Sequence, residues 1–375
     1  MKQKENLFII FQLSLILFIF LNANSGWGVD VKLTEKIEFS PETELPLNPK
    51  SFCVTEDELF IIPDYSAGNM KIYEKNGDML ELIKIIGRKG YGPDEFVRPG
   101  FCFYNKDKSK FGVLDFGIRK IFIYDRIRMI EFKRVKEVTC WEAGYDIQLR
   151  GEKLFISGYK PDQNGNPYDF YCIDLNNDQT TFLLPSNLKY GLRSLREYED
   201  QYLGKPDIRT IGIKGWFDIY KDNAFFVWEG NLKVIKLNIV TGKIEPNPFG
   251  NQPPHFVKPY VSQELFKSRL NKDLEQYARE KSKMSYVRNI FVSSRYVLVI
   301  YEGPVKQDKK SNYQIQLYTL DGNFVRELPI SIQPDPRMWF DRERDILYSL
   351  SNKSNVDRVD YFILKLTIFE SGGYP

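Results

Sequence analysis

Apolar and polar positions alternate along this chain in short bursts that follow one grammar. A polar turn leads into a short apolar strand, then a loop, a second strand and another turn. The pattern starts at Glu58 with "ELFIIPDYSAGNMKIYEKNGDML" and returns from Lys110, Lys153, Asn223, Arg295 and Asp345. Runs of this length, rich in Val, Ile, Tyr and Phe and bounded by Gly, Asn and Asp, read as strands joined by turns. A further apolar segment precedes each copy: "SFCV", "GFCFY", "YDIQL", "GWFDIY", "YVRNIFV" and "RMWF". Another follows most of them, such as "LELIKII" and "MIEFKRV".

Four antiparallel strands per copy, in six copies, predict an all-β fold, a six-bladed β-propeller of four-stranded blades. Radial repetition avoids the long open edges that a single large sheet would expose. The sixth copy lacks an outer strand. Residues 31–39, "VKLTEKIEF", alternate apolar and polar and are expected to close the last blade. One insertion departs from the strand pattern. Residues 250–285, between blades 4 and 5, contain "VSQELFKSRLNKDLEQYAREKSK", whose Phe266, Leu270, Leu274 and Ala278 fall on one stripe of a helix.

Loop lengths are uneven. The connections expected between the first and second strands of each blade are tight, such as "TEDE" and "NKDK". Those between second and third strands, and between blades, are long and varied, and both kinds emerge on one face of a propeller. Long loops on a rigid scaffold commonly carry binding residues. The loop-rich face offers Arg88, Tyr91, Arg119, Tyr159, Trp228 and Tyr301 as candidates for a protein, peptide or glycan ligand.

Composition supports the strand reading and narrows the chemistry. The chain has 28 Phe and 23 Tyr, residues that suit a pleated surface. With 53 basic against 50 acidic residues and no basic patch, nucleic acid is not an expected partner. Lys2 and Lys4, the apolar run Leu7–Leu21, and Ala23 and Ser25 form the pattern of an export signal over residues 1–25. The remainder, residues 26–375, is expected to be a single domain and a monomer, periplasmic or extracellular, with no membrane span. Cys53, Cys102, Cys140 and Cys172 form no C-x-x-C pair, so zinc is not indicated. They read either as small buried hydrophobes or as disulfide partners.

The stretch "GRKGYGPDEFVRPGFCF" is glycine-rich, but it lacks the spacing of phosphate-binding loops and no helical period follows it. Its Gly87, Gly90, Gly92, Pro93, Phe96 and Pro99 resemble the loop that introduces each blade in NHL-repeat propellers. Asp115, Arg119 and Ile121, and Asp64, Asn69 and Ile72 one blade earlier, resemble the strand pair of those repeats. The resemblance is to exported NHL-like propellers of six blades, a group whose function is poorly defined. No cofactor is expected. Some six-bladed propellers, the lactonase-like ones, hold one axial cation such as Ca²⁺ on oxygen ligands. Asp64, Asp115, Glu229, Asn231 and Glu302 are the candidate donors for that alternative. His255 is the only histidine, which excludes multi-histidine metal centres, and no nucleophile–base motif is visible. These features favour a non-catalytic binding role over a hydrolase.

Overall fold

The computed structural model describes residues 28–105, 109–128, 130–140, 146–186, 215–259, 264, 268, 271–305, 312–330, 337–354 and 359–371. The expected export signal lies outside them. In chain order the first strand is β1 (Gly28–Phe39). Blade 1 follows as β2 (Cys53–Val54), β3 (Leu59–Asp64), β4 (Asn69–Asn76) and β5 (Met79–Ile86). A small parallel ladder, β6 (Arg88–Lys89) with β7 (Glu95–Phe96), leads to blade 2. That blade contains β8 (Pro99–Asn105), β9 (Lys110–Asp115), β10 (Lys120–Arg128) and β11 (Glu131–Thr139). Blade 3 is β12 (Asp146–Arg150), β13 (Lys153–Pro161), β14 (Pro167–Asp174) and β15 (Thr180–Pro185). Blade 4 has three strands, β16 (Gly215–Tyr220), β17 (Asn223–Trp228) and β18 (Val234–Asn238), and is followed by the helix α1 (Leu274–Lys281). Blade 5 is β19 (Tyr286–Val292), β20 (Tyr296–Glu302), β21 (Tyr313–Thr319) and β22 (Phe324–Ile330). Blade 6 holds β23 (Arg337–Asp341), β24 (Ile346–Ser354) and β25 (Val359–Ser371).

The blades are antiparallel sheets, and the core lies between them rather than inside any one of them. Six apolar clusters occupy the six gaps. A middle strand must therefore be apolar on both faces. In β3, Leu59 and Ile61 face blade 2 while Phe60 and Ile62 face blade 6. Alternation sends successive residues to opposite faces, so one strand feeds two clusters. This is why "LFII" reads as a continuous apolar run.

Strand β1 pairs antiparallel with β25 along its length, from Gly28 opposite Ser371 to Glu38 opposite Phe362. It also touches β5 in parallel at Glu38–Met79 and Phe39–Leu80, which joins blades 6 and 1 into one eight-stranded sheet. In blade 4 the outer position is covered by residues 244–249, held to β18 by the isolated bridges Leu237–Ile244 and Val234–Phe249.

Helix α1 is shorter than its sequence pattern suggested and turns a different face inward. Asp273 caps it by accepting from the Gln276 amide at 3.0 Å. Tyr277 packs on Met284 and Tyr286, and Glu280 is buried beside Lys283. Leu274 and Ala278, expected on the buried stripe, are exposed, and Phe266 and Leu270 lie outside the described residues. The docking of Met284 and Tyr286 against Tyr277 decides the buried face, and the pattern within the helix does not contain that contact. No helix of the described residues is long and apolar enough to cross a membrane.

Candidate functional site

The innermost strands β2, β8, β12, β16, β19 and β23 together line an axial cavity of about 880 Å³. Side chains at the starts of these strands, or just after β3 and β9, form its loop-rich mouth. They are Lys50, Tyr65, Arg98, Phe116, Asp146, Trp216, Arg288 and Arg337. Glu56, Arg150, Asp341 and Arg342 line the opposite end.

Two aspartates build one side of the mouth. Asp64 ends β3 and is fully buried. It accepts from the amides of Leu47 (2.7 Å), Asn48 (3.2 Å), Ser66 (3.2 Å) and Ala67 (3.1 Å), and from the Lys71 ammonium (2.9 Å). Burial opposes its ionisation, but the Leu47 amide and Lys71 overcome it and hold the carboxyl below its usual range. Asp115 ends β9 and does the same work one blade on. It accepts from Val97 (2.7 Å), Arg98 (3.0 Å), Gly117 (2.7 Å) and Ile118 (3.4 Å). Each aspartate ties the loop entering its blade to the turn leaving the second strand. Lys50 with Tyr65, and Arg98 with Phe116, are the side chains so presented. The Lys50 ammonium lies 5.6 Å and the Arg98 guanidinium 5.8 Å from the centre of the Tyr65 ring.

On the far side, Asp146 begins β12 and accepts from the Phe217 amide at 3.1 Å. Burial pushes its carboxyl up to about 8, and the nearby Asp218 adds to the rise. Asp218 itself accepts from the Val292 amide (2.6 Å) and pairs with Arg342 (2.7 Å). The unfolded value of an aspartate is near 4, so the folded chain keeps a proton that the unfolded chain releases. The stability due to this group therefore falls as pH rises from about 4 to about 8, and levels off above. Asp146→Asn, which retains an acceptor for Phe217, is expected to raise the urea midpoint at about pH 9 and to leave it nearly unchanged at about pH 4. An equal effect at both pH values would show that the wild-type group does not titrate in that window.

The residues singled out by sequence are distributed differently from expectation. Arg88 and Tyr91 are exposed on the loop before blade 2; Arg88 pairs with Glu95 at 2.8 Å. Arg119 is also exposed, with a left-handed φ of 56° that lets its carbonyl accept from the Cys140 amide. Tyr159 falls in β13, and its side chain lies outside the described residues. Trp228 and Tyr301 are not surface groups. Trp228 is buried and donates to Asp169 at 3.2 Å. The Tyr301 hydroxyl meets His255 Nε2 at 2.7 Å, and that nitrogen lies 3.1 Å from Glu327. Both tyrosine and tryptophan bury their ring and spend their polar tip on one partner. His255 thus pins the segment after blade 4 onto blade 5.

The proposed cation donors are likewise committed. Asp64 and Asp115 are spent on backbone amides. Glu302 and Glu229 both reach Arg288, the second at 3.7 Å. Burial disfavours the charge on Arg288, and Glu302 more than restores it. Asn231 accepts from the Lys233 amide at 3.1 Å. Among the described residues, no three His, Cys, Asp or Glu side chains gather as a metal site would require. The four cysteines are free and buried. Cys53 and Cys102 are neighbours on the inner strands of blades 1 and 2; burial, then Cys102, pushes the Cys53 thiol up.

The glycine-rich stretch is a connector. Phe96 fills the gap between blades 1 and 2. Gly87 has φ +75°, and a Cβ there would come within 2.5 Å of the Phe96 ring.

Comparison with known proteins agrees with this architecture. Residues 42–186, which run through blades 1 to 3, match the DUF5128 family model, described as a six-bladed β-propeller. The described residues form a six-bladed β-propeller. A DUF4221 family member from Bacteroides vulgatus superposes with a TM-score of 0.61 at 11% identity, covering 92% of this chain and 99% of that one. A predicted exported protein from Bacteroides fragilis superposes with a TM-score of 0.57 at 16% identity, covering 91% and 96%. At these identities the likeness is one of fold. A search of curated proteins finds no match to this chain.

Sequence reasoning missed Lys50, Tyr65, Phe116, Asp146 and Trp216. A usable signal was present, since each lies within three residues of an inner-strand start or a second-strand end. Aligning the six copies on Asp64 and Asp115 would have collected them.

Proposed function

We propose that this propeller is an exported, non-catalytic binding module that takes a protein, peptide or glycan at the loop-rich mouth of its axial cavity. The observation that carries the reading is the grouping of Lys50 and Arg98 around the Tyr65 ring, with Phe116 one blade on, at that mouth. All four are presented by the Asp-capped turns of blades 1 and 2. Such a concave site, mostly preformed and with few convergent polar groups, is the usual form of a ligand pocket. Residues 1–25 support export, and the acidic groups that a cation-dependent hydrolase would use are already occupied.

The test is an array of oligosaccharides and peptides probed with the mature chain and with Phe116→Ala. Phe116 is 40% exposed, so its removal should spare the fold. Ligands of the mouth should lose about tenfold in affinity, the cost of an anchoring aromatic, with no change in thermal midpoint. Binders indifferent to both Phe116→Ala and Lys50→Ala would place the site elsewhere. A thermal midpoint raised by Ca²⁺ and restored by EDTA would instead favour the hydrolase reading.

A further inference from the structure

The charge around the mouth is lopsided. Arg337, Lys50 and Arg98 come from blades 6, 1 and 2, which are consecutive around the ring. Among the described residues no carboxylate lies within ion-pair distance of Lys50 or Arg98. Their neighbour is the Tyr65 ring. This is unusual in a chain where Lys71, Lys75, Arg126, Arg288 and Arg342 all meet acids. The two acids nearest in the fold, Asp64 and Asp115, are turned into the turns that carry these cations. On the opposite wall stand Gln148, Trp216, the proton-bearing Asp146 and Arg288, whose charge Glu302 and Glu229 offset. A protonated carboxyl is a hydrogen-bond donor and adds no negative charge.

Both cations share one ring: Lys50 and Arg98 flank Tyr65 of blade 1, and Phe116 of blade 2 lines the same mouth. The same backbone scheme holds both turns: the Tyr65 amide donates to the Asn48 carbonyl (3.2 Å), and the Phe116 amide to the Arg98 carbonyl (3.0 Å). A mouth that offers two cations around one ring, with a second ring on the next blade, fits a ligand that carries anions and ring faces along its length.

We infer that the ligand is a carboxylate-bearing oligosaccharide, with its acid groups at Lys50 and Arg98 and its sugar rings against Tyr65 and Phe116; this rests on the mouth being the binding site. The cavity of about 880 Å³ lies within the size range of small-ligand sites.

The experiment is calorimetric titration of the mature chain with trigalacturonic acid, maltotriose and hexaglutamate. Trigalacturonic acid should bind saturably, and its affinity should fall with added salt because exposed charges are screened. Lys50→Ala with Arg98→Ala should weaken it more than tenfold, and the unliganded thermal midpoint should stay unchanged. Maltotriose binding as tightly, and surviving the double substitution while failing with Phe116→Ala, would keep the mouth as the site and overturn the acidic class. Hexaglutamate binding as tightly as the sugar acid would overturn the sugar. Failure of all three probes also overturns the inference. In that case Phe116-dependent binders from the array would show whether the mouth itself still stands.

Discussion

Asp64→Ala should cost this protein about 3–5 kcal/mol of folding stability, the range for breaking a buried ion pair by removing one partner. The substitution strands Lys71, whose side chain is fully buried. Lys71 would keep the Leu45 carbonyl (2.8 Å) and the half-exposed Glu44 (2.9 Å), but not its buried counter-ion. Four backbone amides, of Leu47, Asn48, Ser66 and Ala67, would lose their acceptor as well. A buried donor without a partner costs about 1–3 kcal/mol by itself. Urea unfolding with an unchanged slope and a lowered midpoint is the expected record. Because the native carboxyl is held below its usual range, its contribution is present above the unfolded pKa and is lost as pH falls through the folded value. The deficit of the variant should therefore shrink in acid. Adding Lys71→Met should recover part of the loss, since the stranded charge is then gone. A deficit below about 1 kcal/mol would mean that Asp64 is a surface-like cap and does not organise the turn.

Removing residues 28–39 should have the larger structural effect. Without β1, strand β25 becomes an open edge next to blade 1, and the ring loses its closure. Ile37 and Phe39 leave the cluster shared by blades 6 and 1, where Phe39 meets Tyr73 edge-on at 4.9 Å. Glu35, which bridges Lys75 of blade 1 (2.7 Å) and Lys365 of blade 6 (3.2 Å), goes with them. An exposed, long and partly apolar edge invites pairing with another chain. The truncated chain should elute as aggregates and lose its cooperative unfolding transition. The point variant Ile37→Ala, a cavity at a site with no exposure, should elute as the parent does and lose about 2–5 kcal/mol. A monomeric, cooperatively folding truncation would show that the seam between blades 6 and 1 closes without this strand.

Both predictions concern features that differ in how visible they were. The β1 pattern, with Val31, Leu33, Ile37 and Phe39 alternating against charges, could be read because a half-buried strand has a period of its own. Asp64 was visible too, but its role was misread. An aspartate at the end of an apolar strand looks the same whether its oxygens face a cation or four amides. The amides come from residues 47, 48, 66 and 67, brought together only by the fold. Trp228 and Tyr301 were misplaced for a related reason. Residues at the end of a second strand can face the gap between blades or the solvent, and the partners Asp169 and His255 that bury them come from blade 3 and from the loop after blade 4.

Local periodicity and turn chemistry determined the strands of each blade, their order and the face on which the loops collect. Those are properties of residues within a few positions of one another, and they survive in a linear string. The tertiary structure alone decided which acids became caps, which aromatics were buried, and which cations were left facing the cavity beside a ring. These outcomes depend on side chains brought together from different blades. The same carboxylate, ring or ammonium takes a different role with each set of neighbours, and the order of residues along the chain does not carry the distances between them.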